Sequence, residues 1–255
     1  MGTIRVETDG GIAVLLLDKA RGNAIDEPLV DELLEAAQRL EADTSVTGIL
    51  LSSAHPKVFC PGLDLVTLYE YDRPAMERFM LRFADMVTTL YGMPKPVVAG
   101  VNGHAVAGGC ILALTADYRV LRRGGAQIGL NEVKVGVPLP WSVSVLLRAS
   151  VPPPALSEVA LLGRNFADDE ALRVGLADQL ADADGFLDFC RVRMREFVEK
   201  DAHALRVTKS YLRRAHLAEM QAGEAARIDE WLDGWFSEPT RARMRETVAS
   251  LTKKG

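Results

Sequence analysis

The 255-residue chain is poor in cysteine and histidine, and several chemistries close with that. Its three cysteines, Cys60, Cys110 and Cys190, lie far apart and no C-x-x-C pair occurs, so neither a zinc site nor a disulfide framework is indicated. Unpaired cysteines suit a reducing compartment, and a cytoplasmic protein is expected. The four histidines, His55, His104, His203 and His216, show no H-E-x-x-H spacing. There is no G-x-S-x-G elbow, no G-x-x-x-x-G-K phosphate loop and no G-x-G-x-x-G fingerprint. Positive charge is not in excess either. A net charge of -5 argues against nucleic acid as a partner, though it leaves small anionic ligands open. No apolar run nears membrane-spanning length, and "MGTIRVETDG" lacks the charged and apolar regions of a signal peptide. Neither a membrane segment nor a signal peptide is expected.

What is present is ordinary globular material: 48% hydrophobic and 25% charged residues, in a chain long enough to bury a core without disulfides. "IRVETDGGIAVLLLD" reads as a hairpin, with Asp9, Gly10 and Gly11 at the turn. "IDEPLVDELLEAAQRLEAD" reads as a helix. Asp26 is its N-cap, Pro28 sits in its first turn, and Leu29, Leu33, Leu34, Ala37 and Leu40 fall at helical spacing. "VTGILLSS" and "PVVAGV" read as strands buried on both faces. Between them "PAMERFMLRFADMVTTLY" is an amphipathic helix with Phe79, Met80, Phe83, Met86, Val87 and Leu90 on its core side. "YRVL" and "AQIGL" add short strands. Alternating strands and helices indicate an α/β fold of βαβ units. From about Trp141 onward every periodic segment reads as helix, the last being "TRARMRETVASLTKK". We divide the chain into a core, residues 1–190, and a helical lobe, residues 191–255.

Three segments carry candidate chemistry. In "VFCPGLDL" Pro61 and Gly62 stop a strand, and the sharp turn exposes a backbone N–H, most simply that of Leu63. In "AVAGGCILAL" Gly108 and Gly109 open a helix. Helix N-termini carry unpaired N–H groups, and the missing Cβ lets a ligand oxygen approach closely. Each turn taken alone is equally a packing feature. Together they offer two N–H donors to one oxygen, an oxyanion hole. In "IGLNEVKVG" Glu132 stands among Ile128, Leu130, Val133, Val135 and Val137. A buried carboxylate there would have a raised pKa and could act as a base; an exposed glutamate on a loop or strand edge is the simpler reading of the residues alone. His104, beside the glycines, reads as a packed or hydrogen-bonded residue.

These segments resemble the crotonase superfamily of enoyl-CoA hydratases and isomerases, and the resemblance covers nearly the whole chain. "VFCPGLDL" and "VNGHAVAGGCILALTADYRVL" resemble its two oxyanion segments, and "IGLNEVKVGVPLPW" its catalytic-carboxylate segment. The resemblance implies a spiral of ββα units forming two sheets, followed by a helical lobe through which members trimerise. It implies an acyl-CoA thioester as substrate, a homotrimer or a dimer of trimers, and no cofactor beyond the coenzyme A that the substrate carries. Glu132 would be the base, and the N–H groups of Leu63 and Gly108 would hold the thioester oxygen. Ala24, Gly62, Asp64, Leu65, Gly109, Ile111 and Pro138 would contact substrate. "VGVPLPW" and "MERFMLRFADM" would lie near the acyl group. Hydratases of the family resemble this chain except that they carry a second glutamate, three residues after the oxyanion glycine. Isoleucine stands there here, at position 111. The pattern is similar to the single-glutamate Δ3,Δ2-enoyl-CoA isomerases of mitochondrial type, and isomerisation is the expected reaction. Hydration remains open, because Glu70 or Asp72 could supply a second acid. So does acyl-CoA binding without turnover.

Overall fold

The computed structural model describes residues 2–20 and 22–252. Strands β1 (Ile4–Asp9) and β2 (Ile12–Leu17) pair antiparallel across Gly10 and Gly11, which turn at φ +55° and +81°. Only glycine takes two such values in succession without strain. Helix α1 (Glu27–Ala42) starts where the side chain of Asp26 accepts the Leu29 N–H, and its leucine stripe is buried.

A repeat then begins. Strand β3 (Gly48–Ser53) joins the first sheet and β4 (Val58–Cys60) the second; the helices α2 (Leu65–Leu68) and α3 (Arg73–Gly92) follow. Strands β5 (Val97–Val101) and β6 (His104–Val106) repeat the step into helix α4 (Gly108–Leu114). Strands β7 (Tyr118–Arg122) and β8 (Gln127–Gly129) repeat it again, into α5 (Glu132–Val135) and α6 (Trp141–Ser150). The three successive ββα steps build two sheets. The first is parallel from β2 through β3, β5 and β7; in the second, β4, β6 and β8 run parallel. Strands β2, β3 and β5 are buried along their whole length, which is why their sequences are continuous apolar runs. Phe79, Met80, Phe83, Met86 and Val87 of α3 belong to the same core, and Leu90 is half-buried at its edge.

The segment after α6 corrects the all-helical reading. A 3₁₀ turn (Pro153–Ala155) and a π-helical turn (Ser157–Leu161) come first. Strand β9 (Phe166–Ala167) then closes the second sheet antiparallel to β8. Helix α7 (Asp168–Arg173) leads to β10 (Gln179–Ala181), which extends the first sheet beside β7. Strands of two and three residues are too short to show any alternation.

Helix α8 (Phe186–Val198) spans the division at 190/191 and buries Cys190 and Met194 against the first sheet. The helices α9 (Ala202–Phe236) and α10 (Glu238–Thr252) complete the lobe; Lys253 and Lys254, read as part of the last helix, lie outside the described residues. Lys209 of α9 pins the lobe to the core, donating to Asp117 Oδ2 at 2.6 Å and to the Lys95 carbonyl at 2.8 Å. Among the described residues no helix is long and apolar enough to cross a membrane.

Candidate active site

The second sheet brings the three chemical segments together, because β4, β6 and β8 are neighbours and each ends at one of them. At the end of β4, Leu63 makes a parallel bridge with Ile25. The Ile25 N–H donates to the Gly62 carbonyl, and the Asp64 N–H to the Ile25 carbonyl, both at 2.8 Å. A parallel bridge of this kind leaves the amide of the central residue pointing away from the partner strand. At the end of β6 the chain turns through Ala107, at φ +49° and ψ −122°. That conformation is strained for a residue with a Cβ, and it presents the next amide, Gly108 N–H. Among the described residues neither Leu63 N–H nor Gly108 N–H donates to the protein. The two turns touch: a β-carbon built on Gly62 would meet Gly108 N at 3.1 Å.

Leu63, Gly108 and Glu132 all line one cleft of about 830 Å³. So do Ala24, Asp64, Leu65, Ile111 and Pro138. Gly62 and Gly109 do not. Gly62 shapes the turn at φ +97°, and Gly109 lies so close to β4 that a β-carbon would stand 2.0 Å from the Cys60 carbonyl oxygen. Both are closely packed against neighbouring backbone. Cys60, at the end of β4, is a buried free thiol: its Sγ donates to the Asn23 carbonyl, and burial pushes its pKa up to about 12.

Glu132 is 9% exposed, and its Oε2 has no hydrogen-bond partner among the described residues. The exposed-loop reading of this residue is therefore overturned. It stands at the first position of α5 and is buried although the next two residues, Val133 and Lys134, are exposed. Desolvation pushes its pKa up to about 7. A carboxyl with that value both takes and returns a proton near neutral pH.

The second carboxylate of the cleft, Asp64, is differently placed. It caps α2 by accepting the Thr67 N–H, and it shares Lys19 with Asp26, the Lys19 Nζ standing 3.7 Å from Asp64 and 2.6 Å from Asp26. Lys19 Nζ also donates to the Ala24 carbonyl at 2.7 Å, so this rim is polar and fixed. Glu70 is exposed, Asp72 caps α3 through the Ala75 N–H, and neither lines the cleft. His104 is exposed and also outside it, its Nδ1 accepting the Gln127 N–H.

The sequence reading missed the part of the wall that the helical lobe supplies. Met80 and Phe83 of α3 and Val137 lie in the segments it singled out. Trp231 and Trp235 of α9, stacked at 5.2 Å, and Thr247 and Leu251 of α10 do not. It also missed Asn23, at φ +66° and fully buried. The amide of Asn23 donates to Ser53 Oγ and to the Phe59 carbonyl, fixing the irregular segment that leads to Ala24. A buried asparagine in "RGNAID" gives no periodic signal.

Two backbone amides without a protein acceptor among the described residues and a buried carboxylate thus line one cleft. Residues 7–239 match the sequence model of the enoyl-CoA hydratase/isomerase family, and the chain belongs to that family, the crotonases. It is 29% identical over 213 residues to the mitochondrial enoyl-CoA delta isomerase 1 of Rattus norvegicus, covering 83% of this chain and 74% of the relative. It is 33% identical over 190 residues to carnitinyl-CoA dehydratase of Proteus mirabilis, covering 74% and 72%. Its fold superimposes on the human mitochondrial delta3-delta2-enoyl-CoA isomerase with a TM-score of 0.95 over 99% of both chains, at 26% identity. The expected crotonase fold with a helical C-terminal lobe is thus the observed one.

Proposed function

We propose that the protein isomerises 3-enoyl-CoA thioesters to 2-enoyl-CoA thioesters, with Glu132 as the one proton shuttle. One observation carries the reading. Position 111 lines the cleft as isoleucine, so Glu132 is the carboxylate free for proton transfer, Asp64 being tied to Lys19 and to its helix cap.

Hydration needs a water held and deprotonated while another group protonates C2. Isomerisation needs less. Glu132 takes a proton from C2, and the C2–H electron pair flows toward the thioester carbonyl, giving a dienolate. Its oxygen accepts from Leu63 N–H and Gly108 N–H. The same carboxyl then returns the proton to C4. The double bond moves from C3–C4 to C2–C3, and the enzyme is unchanged. The electron sink is the thioester itself, so the scheme asks for no cofactor beyond the substrate's coenzyme A. The family supports an acyl-CoA substrate. With the reading go a trimer or a dimer of trimers and a cytoplasmic location.

The test is direct. Purified protein is mixed with a 3-enoyl-CoA and conjugation is followed by ultraviolet absorbance. Glu132→Gln, similar in size but unable to shuttle a proton, should lower turnover at least about 100-fold while acyl-CoA still binds. Near-normal turnover in the folded variant would remove Glu132 from the reaction. Binding without any turnover in the wild type would leave only an acyl-CoA-binding protein.

A further inference from the structure

Helix α5 is a single turn, Glu132 to Val135, and one turn does not hold its own shape in water. Something outside it must fix the direction of the Glu132 side chain. The anchors come from the helical lobe. Thr240, at the start of α10 and 3% exposed, donates its Oγ1 hydrogen to the carbonyl of Gly136 at 2.9 Å. Gly136 is the left-handed cap of α5, at φ +84°. The approach is too close for any side chain there: a β-carbon on Gly136 would stand 2.7 Å from Thr240 Oγ1. Two residues further on, the carbonyl of Pro138 accepts from Trp231 Nε1 at 2.9 Å. The opposite wall is held in the same way. Arg241, next to Thr240, donates to the carbonyl of Tyr69, the C-cap of α2, at 2.9 Å, with its guanidinium 3.6 Å over the Tyr69 ring. One corner of the lobe thus grips the chain on both sides of the cleft, after the base and after the Leu63 donor.

We infer that Thr240 is a positioning residue for the Glu132 carboxylate, its hydroxyl fixing the cap of α5 and through it the distance between the base and the oxyanion donors. The inference rests on the reading of Glu132 as the base. It also gives the lobe a role inside its own chain's site: the corner between α9 and α10 sets catalytic geometry.

The experiment compares Thr240→Val, which keeps the shape and loses the hydroxyl, with Thr240→Ser, which keeps the hydroxyl. Both are assayed for kcat, KM, the acidic limb of the pH profile and thermal midpoint. Thr240→Val should lower kcat on the order of tenfold, the scale of a sub-ångström misplacement, with KM changed less than about twofold. Its acidic limb should move down from about 7 toward the ordinary glutamate range, because a loosened α5 lets water reach the carboxylate. Thr240→Ser should restore both. A folded Thr240→Val with wild-type kcat and an unmoved limb would show that the hydroxyl only ties two helices together. If Thr240→Val does not fold, Thr240→Ala removes the same hydroxyl without a methyl in its place and should show the same split between kcat and KM; a normal kcat there overturns the inference equally. If Glu132→Gln kills turnover while both of these variants keep it, the base reading stands and the positioning role falls. If Glu132→Gln is active, both fall.

Discussion

Gly62 and Gly108 are so closely apposed that a β-carbon on Gly62 would stand 3.1 Å from the amide nitrogen of Gly108 and 2.9 Å from the Ala107 β-carbon. The two turns are therefore one packed unit, and a methyl group at position 62 presses directly on the amide proposed as the second oxyanion donor.

Gly62→Ala is accordingly expected to lower turnover by about 100-fold, the scale of losing one oxyanion donor. It should also destabilise the fold by about 1 kcal/mol or more, because φ +97° strains any residue with a β-carbon. Gly10→Ala separates the two effects. Gly10 turns at φ +55° with open space around it, so that variant should lose stability and keep its turnover. Wild-type kcat in a folded Gly62→Ala protein would show that the apposition of the turns does not matter to the reaction.

The contrast between these two glycines shows what the sequence could and could not yield. "TDGGIAV" carries its whole explanation locally, since a two-residue turn needs two left-handed residues and the strands it joins pair antiparallel in register. The ββα order was equally readable, from apolar runs punctuated by turns. Gly109 was not. It looks like a ligand glycine beside Gly108, and only the position of the Cys60 carbonyl shows that it serves packing. The burial of Glu132 was open for the same reason, since apolar neighbours in sequence do not say what lies across the cleft. Trp231, Trp235 and Leu251 reach the site from the far end of the chain, and no local pattern encodes such a meeting. The roles proposed for Leu63, Gly108 and Glu132 came from the family resemblance; composition and spacing alone left them undecided.

Glu132 also makes stability depend on pH, in a direction opposite to that of a salt-bridged carboxylate. Its folded pKa, about 7, lies above its ordinary value of 4.5. Between those values the folded state holds the proton more tightly than the unfolded chain does. This group's contribution therefore falls as pH rises from about 4.5 to about 7 and is constant above and below. The difference corresponds to about 3 kcal/mol. Glu132→Gln removes the titration. Its stability relative to wild type should be about 3 kcal/mol more favourable at pH 8 than at pH 4, read from denaturant midpoints at the two values. An equal difference at both pH values would mean that the carboxylate is solvated in the folded protein.

The proposed isomerisation rests on Ile111, one helical turn after Gly108 on α4, 3% exposed and lining the same cleft as Glu132. With a branched alkyl group at that position, the other carboxylate lining the cleft among the described residues is Asp64, which is tied to Lys19 and to its helix cap. The wild type should therefore hydrate a short 2-enoyl-CoA poorly while isomerising the matching 3-enoyl-CoA well, both followed by absorbance in one cuvette format. Ile111→Glu would put a second carboxyl beside Glu132. Two close carboxyls share a proton and push one pKa up, which is the acid–base pairing that hydration uses. That variant should gain hydratase activity and lose stability, since a polar group replaces a buried alkyl one. The decisive measurement is on the unaltered protein. Hydration there as efficient as isomerisation would mean that some group other than a residue at 111 supplies the second acid, and the single-glutamate isomerase would give way to a hydratase.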